Sequence, residues 1–294
     1  MSIRTALILA GGVGSRLRPL SSDDNPKQFL RIFDGASLLQ KTYGRVARLM
    51  EPSSIFISTN EQYASKCAAQ LPLVPEVNIL TEPARRNTGP AIAVCCYAIE
   101  AAFGNPVISV LASDAFIGDE DEFVRVLSRA YEFAASNDHL VAIGIKPTEA
   151  NTGFGYLELG DEIQSGVNEL RRFAEKPSQQ AAEDFVHAGN YLWNAAMFVW
   201  RASAFRRALE TTAPEIATLA DRIVSSGDPG KRVEHYEAMP SISIDYALME
   251  KAPNVAAIRG DFGWSDVGTF EALERAGVPV AELLKSSSEA FSRS

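Results

Sequence analysis

Between Leu7 and Leu30 the chain reads LILAGGVGSRLRPLSSDDNPKQFL. Gly11, Gly12 and Gly14 follow an apolar run, Thr5–Ala10, whose composition predicts a buried strand. Glycines permit φ > 0 and remove the side chains that would keep a ligand off the backbone. N–H groups exposed in such a loop, here with Ser15 beside them, can cradle phosphate oxygens. Arg16, Arg18 and Lys27 bring cations to the same region. Strand, glycine turn and cations together suit a polyphosphate better than a neutral ligand. Two familiar glycine patterns are excluded: the Gly-Lys-Ser/Thr ending of a Walker loop is absent, and Leu17 stands where a dinucleotide fingerprint needs its third glycine.

Carboxylates come next. Asp114 ends the run VISVLASD, and a strand-end carboxylate near a phosphate loop suits a Mg²⁺ ligand. The competing reading is a cap for the following helix. Asp266 in FGWSDVGTF is a second candidate, with Ser265 or Asp266 equally able to cap a helix. The stretch EPARRNTGPA, Glu82–Ala91, is a polar loop between prolines that feeds a helix. Asn87 and Thr88 can hydrogen-bond a base edge and Glu82 can accept from amino groups, while capping by Asn87 or Thr88 is the plain alternative. In TGFGY, Gly155 either admits a ligand to the backbone or shapes a hairpin. Glu175 and Lys176 in FAEKP either bind hydroxyls and a phosphate or form an exposed ion pair. Asn194 interrupts the apolar NYLWNAAMFVW, and a buried amide needs partners. His139, His187 and His235 show no metal spacing.

The elements that must position these residues alternate. Strands are expected at Thr5–Ala10, Ser54–Thr59, Val77–Leu80, Val107–Ala112 and His139–Ile145. Helices are expected at Leu38–Met50, Glu61–Gln70, Thr88–Phe103 and Glu120–Ala135. Such alternation predicts an α/β fold: a Rossmann-like, mostly parallel mixed sheet flanked by helices. Ligands in these sheets bind beyond the carboxyl ends of the strands, where the glycine loop and Asp114 both fall. After Pro147 strand-like runs at Gly153–Leu159, Val167–Glu175 and Tyr191–Trp200, with a helix at Gln179–His187, read as a mixed sheet laid against the first half. Phe205–Leu209, Ile216–Val224, Ile244–Met249 and Thr269–Arg275 read as helical and Val255–Ile258 as a late strand. The organisation expected is one domain over residues 1–276 and a tail over 277–294, Ser-rich and frayed from Lys285.

The 294 residues carry 28 Lys and Arg against 37 Asp and Glu, a net charge of −9, which argues against a broad nucleic-acid or anionic-membrane surface. A local cation cluster still suffices for a small anion. Cys67, Cys95 and Cys96 are too few and too badly spaced for a disulfide framework or a zinc site, and Cys95 and Cys96, in an apolar helix-like run, read as buried thiols. With no secretory leader pattern and no run long enough to span a bilayer, a cytoplasmic enzyme is expected. A homodimer stays open, since the sequence carries no signal for oligomeric state.

Taken together, GG-x-G-x-R-L-x-P-L, the later P-K, E-P-x-x-R-N-T-x-P-A and W-x-D-x-G resemble the sugar-1-phosphate nucleotidyltransferases. The version PKQFL at Pro26–Leu30 resembles the mannose-1-phosphate guanylyltransferase branch. The resemblance runs from about Thr5 to Arg275, with its motifs in the family's order. It implies a nucleotide-diphospho-sugar transferase fold that joins GTP and mannose 1-phosphate to give GDP-mannose and pyrophosphate, with Mg²⁺. It implies that Gly11, Gly12, Gly14 and Ser15 wrap the nucleotide and that Arg16 and Lys27 act on its phosphates. Asp114 and Asp266 would hold the metal; Glu82, Asn87 and Thr88 would border guanine. Gly155, Glu175, Lys176, Asn194 and Asp245 would meet the sugar phosphate. Another sugar or base, or a weakly catalytic regulatory subunit, are the alternatives. Three positions depart from the branch: Ala115 replaces a His after the metal aspartate, Ala195-Ala196 replaces Ser-Gly, and Arg18 replaces a Trp. The first two are expected to touch the metal and sugar walls. Family members commonly carry a C-terminal β-helix or isomerase domain, and this chain is expected to be too short for either.

Overall fold

The computed structural model describes residues 2–12 and 14–291, apart from the side chains of residues 15 and 286–291. The fold grows outward from β1, Arg4–Leu9, whose central residues are all buried. Side chains alternate across a strand. Ala6 and Ile8 therefore enter one hydrophobic cluster while Leu7 enters the other. α1 (Leu38–Val46) begins with a reciprocal capping box between Ser37 and Gln40 and leads to β2 (Ile55–Asn60). α2 (Ala64–Gln70), β3 (Ile79–Glu82), α3 (Thr88–Phe103) and β4 (Val107–Ala112) complete the first half.

The order β3-β2-β1-β4 places β1 between the outgoing pair and the returning strand, with every pairing parallel. The chain reverses its direction of progress between β1 and β4, which opens a crevice at their carboxyl ends. Leu9 and Ala112 lie opposite one another, and Ser113 N donates to Leu9 O at 3.0 Å. The glycine loop and Asp114 therefore leave the sheet side by side.

Next come β5 (Phe116–Ile117), α4 (Glu120–Ser136), β6 (Leu140–Ile145), β7 (Tyr156–Gln164), β8 (Val167–Ala174) and α5 (Gln179–Ala188). β9 (Tyr191–Arg201) is the longest strand described, and α6 (Ala202–Thr212), α7 (Pro214–Ser225) and α8 (Pro229–Glu237) follow it. A π-helical turn at Asp245–Met249 precedes β10 (Val255–Gly260), β11 (Trp264–Ser265), α9 (Phe270–Arg275) and α10 (Val280–Phe291). The sheet continues β4-β9-β6-β10-β8-β7. β6 and β10 are parallel, but β9 runs antiparallel to β4, β6 and β7, as β8 does to β7 and β10. The result is the expected α/β mixed sheet with helices on both faces, its parallel character concentrated in the first half.

Some boundaries differ from the sequence reading. The strand expected at Gly153–Leu159 starts only at Tyr156, because TGF is a turn; the short pair β5 and β11 was not anticipated, nor was α8. Ile244–Met249 is a π-helical turn rather than a regular helix. Residues 277–294, read as a tail, begin with Val278 and Val280 buried against Leu17, Phe33 and Leu273, and α10 follows. Residues 292–294, part of the stretch expected to fray, lie outside the described residues. Among the described residues no helix is long and apolar enough to cross a membrane. Cys95 and Cys96 are buried and free, as expected, and Cys67 is so too.

Candidate active site

The glycine loop is fixed from below by three side chains, those of Gln28, Thr59 and Asn60. Gln28 Nε2 donates to the carbonyls of Ala10 (3.0 Å) and Gly12 (2.8 Å). Thr59 Oγ1 donates to Ala10 O at 3.0 Å and Asn60 Nδ2 to Gly11 O at 2.9 Å. With these carbonyls held inward, the opposite side of the loop is left to the crevice. Gly14 has φ +65°, and a Cβ there would lie 2.6 Å from Lys27 Cβ. A Cβ on Gly12 would meet nothing within 4 Å. Gly14 is thus demanded by the protein, whereas Gly12 leaves open space. Nothing is described of the Ser15 side chain.

Lys27 is buried at 5% exposure, in contrast to a freely solvated loop lysine. Its Nζ lies 2.9 Å from Asp114 Oδ2 and donates to Asp266 O at 2.7 Å, joining residues 239 positions apart. One ammonium group therefore ties the Asp114 carboxylate to the backbone carbonyl of Asp266, two segments that the sequence could not connect. Neither caps a helix: Asp119 caps α4 and Thr269 caps α9. Asp266 instead accepts from Gly268 N at 3.3 Å within its own turn. Arg16 Nη1 is 3.4 Å from where a Gly268 Cβ would stand, which places it at the same turn. Val267, in that turn, holds φ +38°, costly for a β-branched residue. Among the described residues no group of three or more His, Cys, Asp or Glu could hold a metal. A pair of carboxylates beside a phosphate loop still fits Mg²⁺, which takes one or two carboxylates and fills its shell with phosphate and water oxygens.

On one side of this centre lies a cleft of about 420 Å³ lined by Gly11, Gly12, Glu82, Asn87, Thr88 and Asp114 among others. Glu82 Oε1 accepts from Ser58 Oγ at 3.2 Å and Oε2 from the Tyr236 hydroxyl at 2.8 Å. Burial pushes the Glu82 carboxyl above its ordinary range, and these two hydrogen bonds oppose the shift. Asn87 does cap α3, its Oδ1 accepting from Thr88 N at 2.8 Å, yet it is exposed and sits at φ +68°. Thr88 Oγ1 accepts from Ile244 N at 3.0 Å, tying the helix start to the segment before the π turn.

The five residues expected on the sugar side form one cluster. A Cβ on Gly155 would be 2.5 Å from Glu175 Oε2 and 3.3 Å from Asn194 Cβ, so glycine is required by close approach. Asn194 Nδ2 donates to Asp245 Oδ1 at 2.9 Å, and its Oδ1 accepts from Ala196 N at 3.0 Å. These are the partners that its half-buried amide needed. Lys176 Nζ pairs with Glu175 Oε1, and the backbone N of Glu175 donates to Glu250 Oε1 at 3.1 Å. The Glu175 side chain is only 8% exposed whereas that of Lys176 is 60% exposed, so the pair is buried at its carboxylate end and solvated along the lysine. Burial, then the neighbouring Glu175, pushes the Asp245 carboxyl up to about 6.

The three departures separate in space. Ala115 is buried against the Ile117 and Phe123 cluster and does not line the cleft, contrary to expectation. Ala196 does line it, in a bulge of β9 where the register shifts between Ile143 and Gly144. Its φ of +51° is the conformation glycine takes freely and alanine at a cost of about 1–2 kcal/mol. Arg18 points away to Asp23 at 2.7 Å. Sequence reasoning missed Gln28, Asn60, Ser58 and Tyr236, which act on the site through other residues. Gln28 alone stood inside a quoted motif.

A glycine loop at the switch point of an α/β sheet, with two aspartates and a buried lysine at its mouth, is an arrangement suited to a nucleotide. The chain belongs to the nucleotidyl transferase family, whose family model matches residues 5–282. It is 40% identical over 276 residues to the mannose-1-phosphate guanylyltransferase RfbM of Salmonella typhimurium, covering 91% of this chain and 57% of that protein. The mannose-1-phosphate guanylyltransferase of Salmonella muenchen is 37% identical, with 93% of this chain and 59% of that protein covered. The crystal structure of a mannose-1-phosphate geranyltransferase from Thermus thermophilus superposes with a TM-score of 0.84 at 33% identity, over 93% of this chain and 79% of that one. The chain thus spans less than two thirds of the length of the curated relatives it matches.

Proposed function

We propose that the chain transfers a guanylyl group from GTP to mannose 1-phosphate, giving GDP-mannose and pyrophosphate. The observation that carries this reading is the Lys27 ammonium bridging Asp114 and Asp266 at the mouth of the glycine loop. Around that centre stand a cleft able to take a nucleoside and a cluster of hydroxyl-binding groups. The names of the relatives and the E-P-x-x-R-N-T stretch support guanine and mannose over other pairs.

In this reading a phosphate oxygen of mannose 1-phosphate attacks the α-phosphorus of GTP in line. The bond from that phosphorus to the β-phosphate oxygen breaks, and pyrophosphate leaves with the electron pair. The chain's part is positioning and charge neutralisation. Backbone N–H groups of the Gly11–Gly14 loop hold phosphate oxygens, and Lys27 and Arg16 neutralise charge gathering on the reacting phosphates. Glu175, Lys176, Asn194 and Asp245 orient the sugar phosphate. Asp114 and Asp266 would hold a Mg²⁺, which when bound withdraws charge from the phosphates.

The test is to incubate the protein with Mg²⁺, each nucleoside triphosphate and a panel of sugar 1-phosphates, and to measure pyrophosphate. GTP with mannose 1-phosphate should lead by a wide margin, because a site that hydrogen-bonds a base leaves buried groups unpaired when the wrong one enters. Equal use of dTTP or ATP would remove guanine; equal use of glucose 1-phosphate would remove mannose.

A further inference from the structure

α8 meets the base-side loop twice, through consecutive residues. The Tyr236 hydroxyl donates to Glu82 Oε2 at 2.8 Å. The next carbonyl, Glu237 O, accepts from Arg86 Nε at 3.1 Å and from Arg86 Nη2 at 2.5 Å. A cation at a helix C-terminus is favourable, so Arg86 anchors the loop on α8 while Tyr236 reaches its carboxylate. The helix is itself well begun, with Asp228 accepting from Gly230 N and Lys231 N and Pro229 in the first position.

Glu82 forms a partition. On one side it lines the cleft beside Gly11; behind it Tyr236, 3% exposed, lines a separate cavity of about 470 Å³. Ser58 holds one carboxylate oxygen and Tyr236 the other, each supplying a single donor. A carboxylate oxygen accepts two hydrogen bonds, so acceptor capacity remains toward the cleft.

We propose that Tyr236 is a positioning residue for base recognition. It holds the Glu82 carboxylate ionised and turned so that its open lone pairs accept N–H groups from the purine edge. The inference rests on the guanine reading and on Glu82 as the acceptor. Removing the hydroxyl frees one carboxylate oxygen to turn and takes away the larger of the two hydrogen bonds that oppose the burial shift. The carboxyl would then take up its proton at a higher pH, and a protonated carboxyl donates where the base also donates. The other ionisable groups around it keep their charge in the range of interest. Cys95 of α3 has its thiol pushed up to about 12, and burial pushes the Tyr236 hydroxyl still higher. The nearest guanidinium groups are those of Arg85, which lines the cleft, and Arg86, which is held on Glu237 O.

The experiment compares Tyr236→Phe, Glu82→Gln and the unaltered protein, measuring kcat and KM for GTP from pH 5 to 9, with thermal melts. Tyr236→Phe should raise the KM for GTP about 5–10-fold, the worth of an ordinary hydrogen bond, because the contact of Glu82 with the base is loosened rather than removed, with kcat within twofold. The acid limb of 1/KM should move to higher pH. Glu82→Gln should raise KM and abolish that limb. If Glu82→Gln raises KM while Tyr236→Phe leaves both KM and the limb unchanged, Tyr236 is only core and the inference fails alone. If Glu82→Gln leaves KM unchanged, Glu82 does not read the base, and the inference falls with that reading.

Discussion

Two neighbouring glycines should respond in opposite ways to one added methyl group. A Cβ on Gly14 falls 2.6 Å from Lys27 Cβ and 3.3 Å from Lys27 N. Carbon atoms rest about 3.5–4.0 Å apart, so about 1 Å of movement is forced. The φ of +65° adds about 1–2 kcal/mol for any residue with a Cβ. Relief has to come from Lys27, and the Nζ it carries is the group that bridges Asp114 and Asp266. A misplacement of about 1 Å can cost about 10²-fold in rate. Gly14→Ala should therefore lower kcat about 10²-fold and lower Tm by a few degrees, at about 2–4 °C per kcal/mol. Gly12→Ala should leave Tm unchanged, since its Cβ meets no protein atom within 4 Å. On the proposed function its methyl instead occupies the approach of the phosphates. Loss of one charge-assisted hydrogen bond, at about 1.5–3 kcal/mol, raises the KM for GTP about 10–100-fold. Steady-state pyrophosphate release with GTP and mannose 1-phosphate, alongside calorimetry, separates the two variants. Wild-type KM and kcat in Gly12→Ala would refute the placement of phosphates over this loop. Wild-type kcat in Gly14→Ala would refute the role of Lys27 position.

Arg16→Ala and Lys27→Ala should each lose about 10²–10³ in kcat, the usual cost of one transition-state charge contact. Only Lys27→Ala should also lower Tm, because Arg16 is exposed whereas Lys27 is buried and holds two distant segments together; equal melts would contradict the bridge. For Asp245, the folded carboxyl lies at about 6 against 3.8 for the free group, so its contribution to stability is present below pH 4 and lost as pH rises through 6. Asp245→Asn should melt above the unaltered protein at pH 7–8, by at most about 3 kcal/mol of stability, and the gap should close toward pH 4; a gap independent of pH would exclude burial of the charge as its cause.

The parts of the site legible in sequence were those whose chemistry is local. Gly11–Gly14 follow a strand whose apolar run shows its own end, and Asp114 follows another, so topology alone set them side by side. Asp266 showed a turn but not its destination, because the contact to Lys27 spans 239 residues. Asn194 was legible as an amide in want of partners, but Asp245 as its partner was not. α8 was missed although Asp228-Pro229 is a helix-start signal, since PGKRVEHYE has little apolar periodicity. Tyr236 is core, and its hydroxyl reaches Glu82 only because β3 ends beside it. The antiparallel insertion of β9 into the sheet also escaped, because a mostly buried strand gives no signal of its direction.

The measurement closest to the central claim follows the phosphates of GTP. With α-labelled GTP, mannose 1-phosphate and Mg²⁺, the label should appear entirely in GDP-mannose, with unlabelled pyrophosphate formed in equal amount. Label released as GMP, or a γ-label passing to the sugar phosphate, would contradict attack at the α-phosphorus and with it the role given to the glycine loop, Lys27 and the two aspartates.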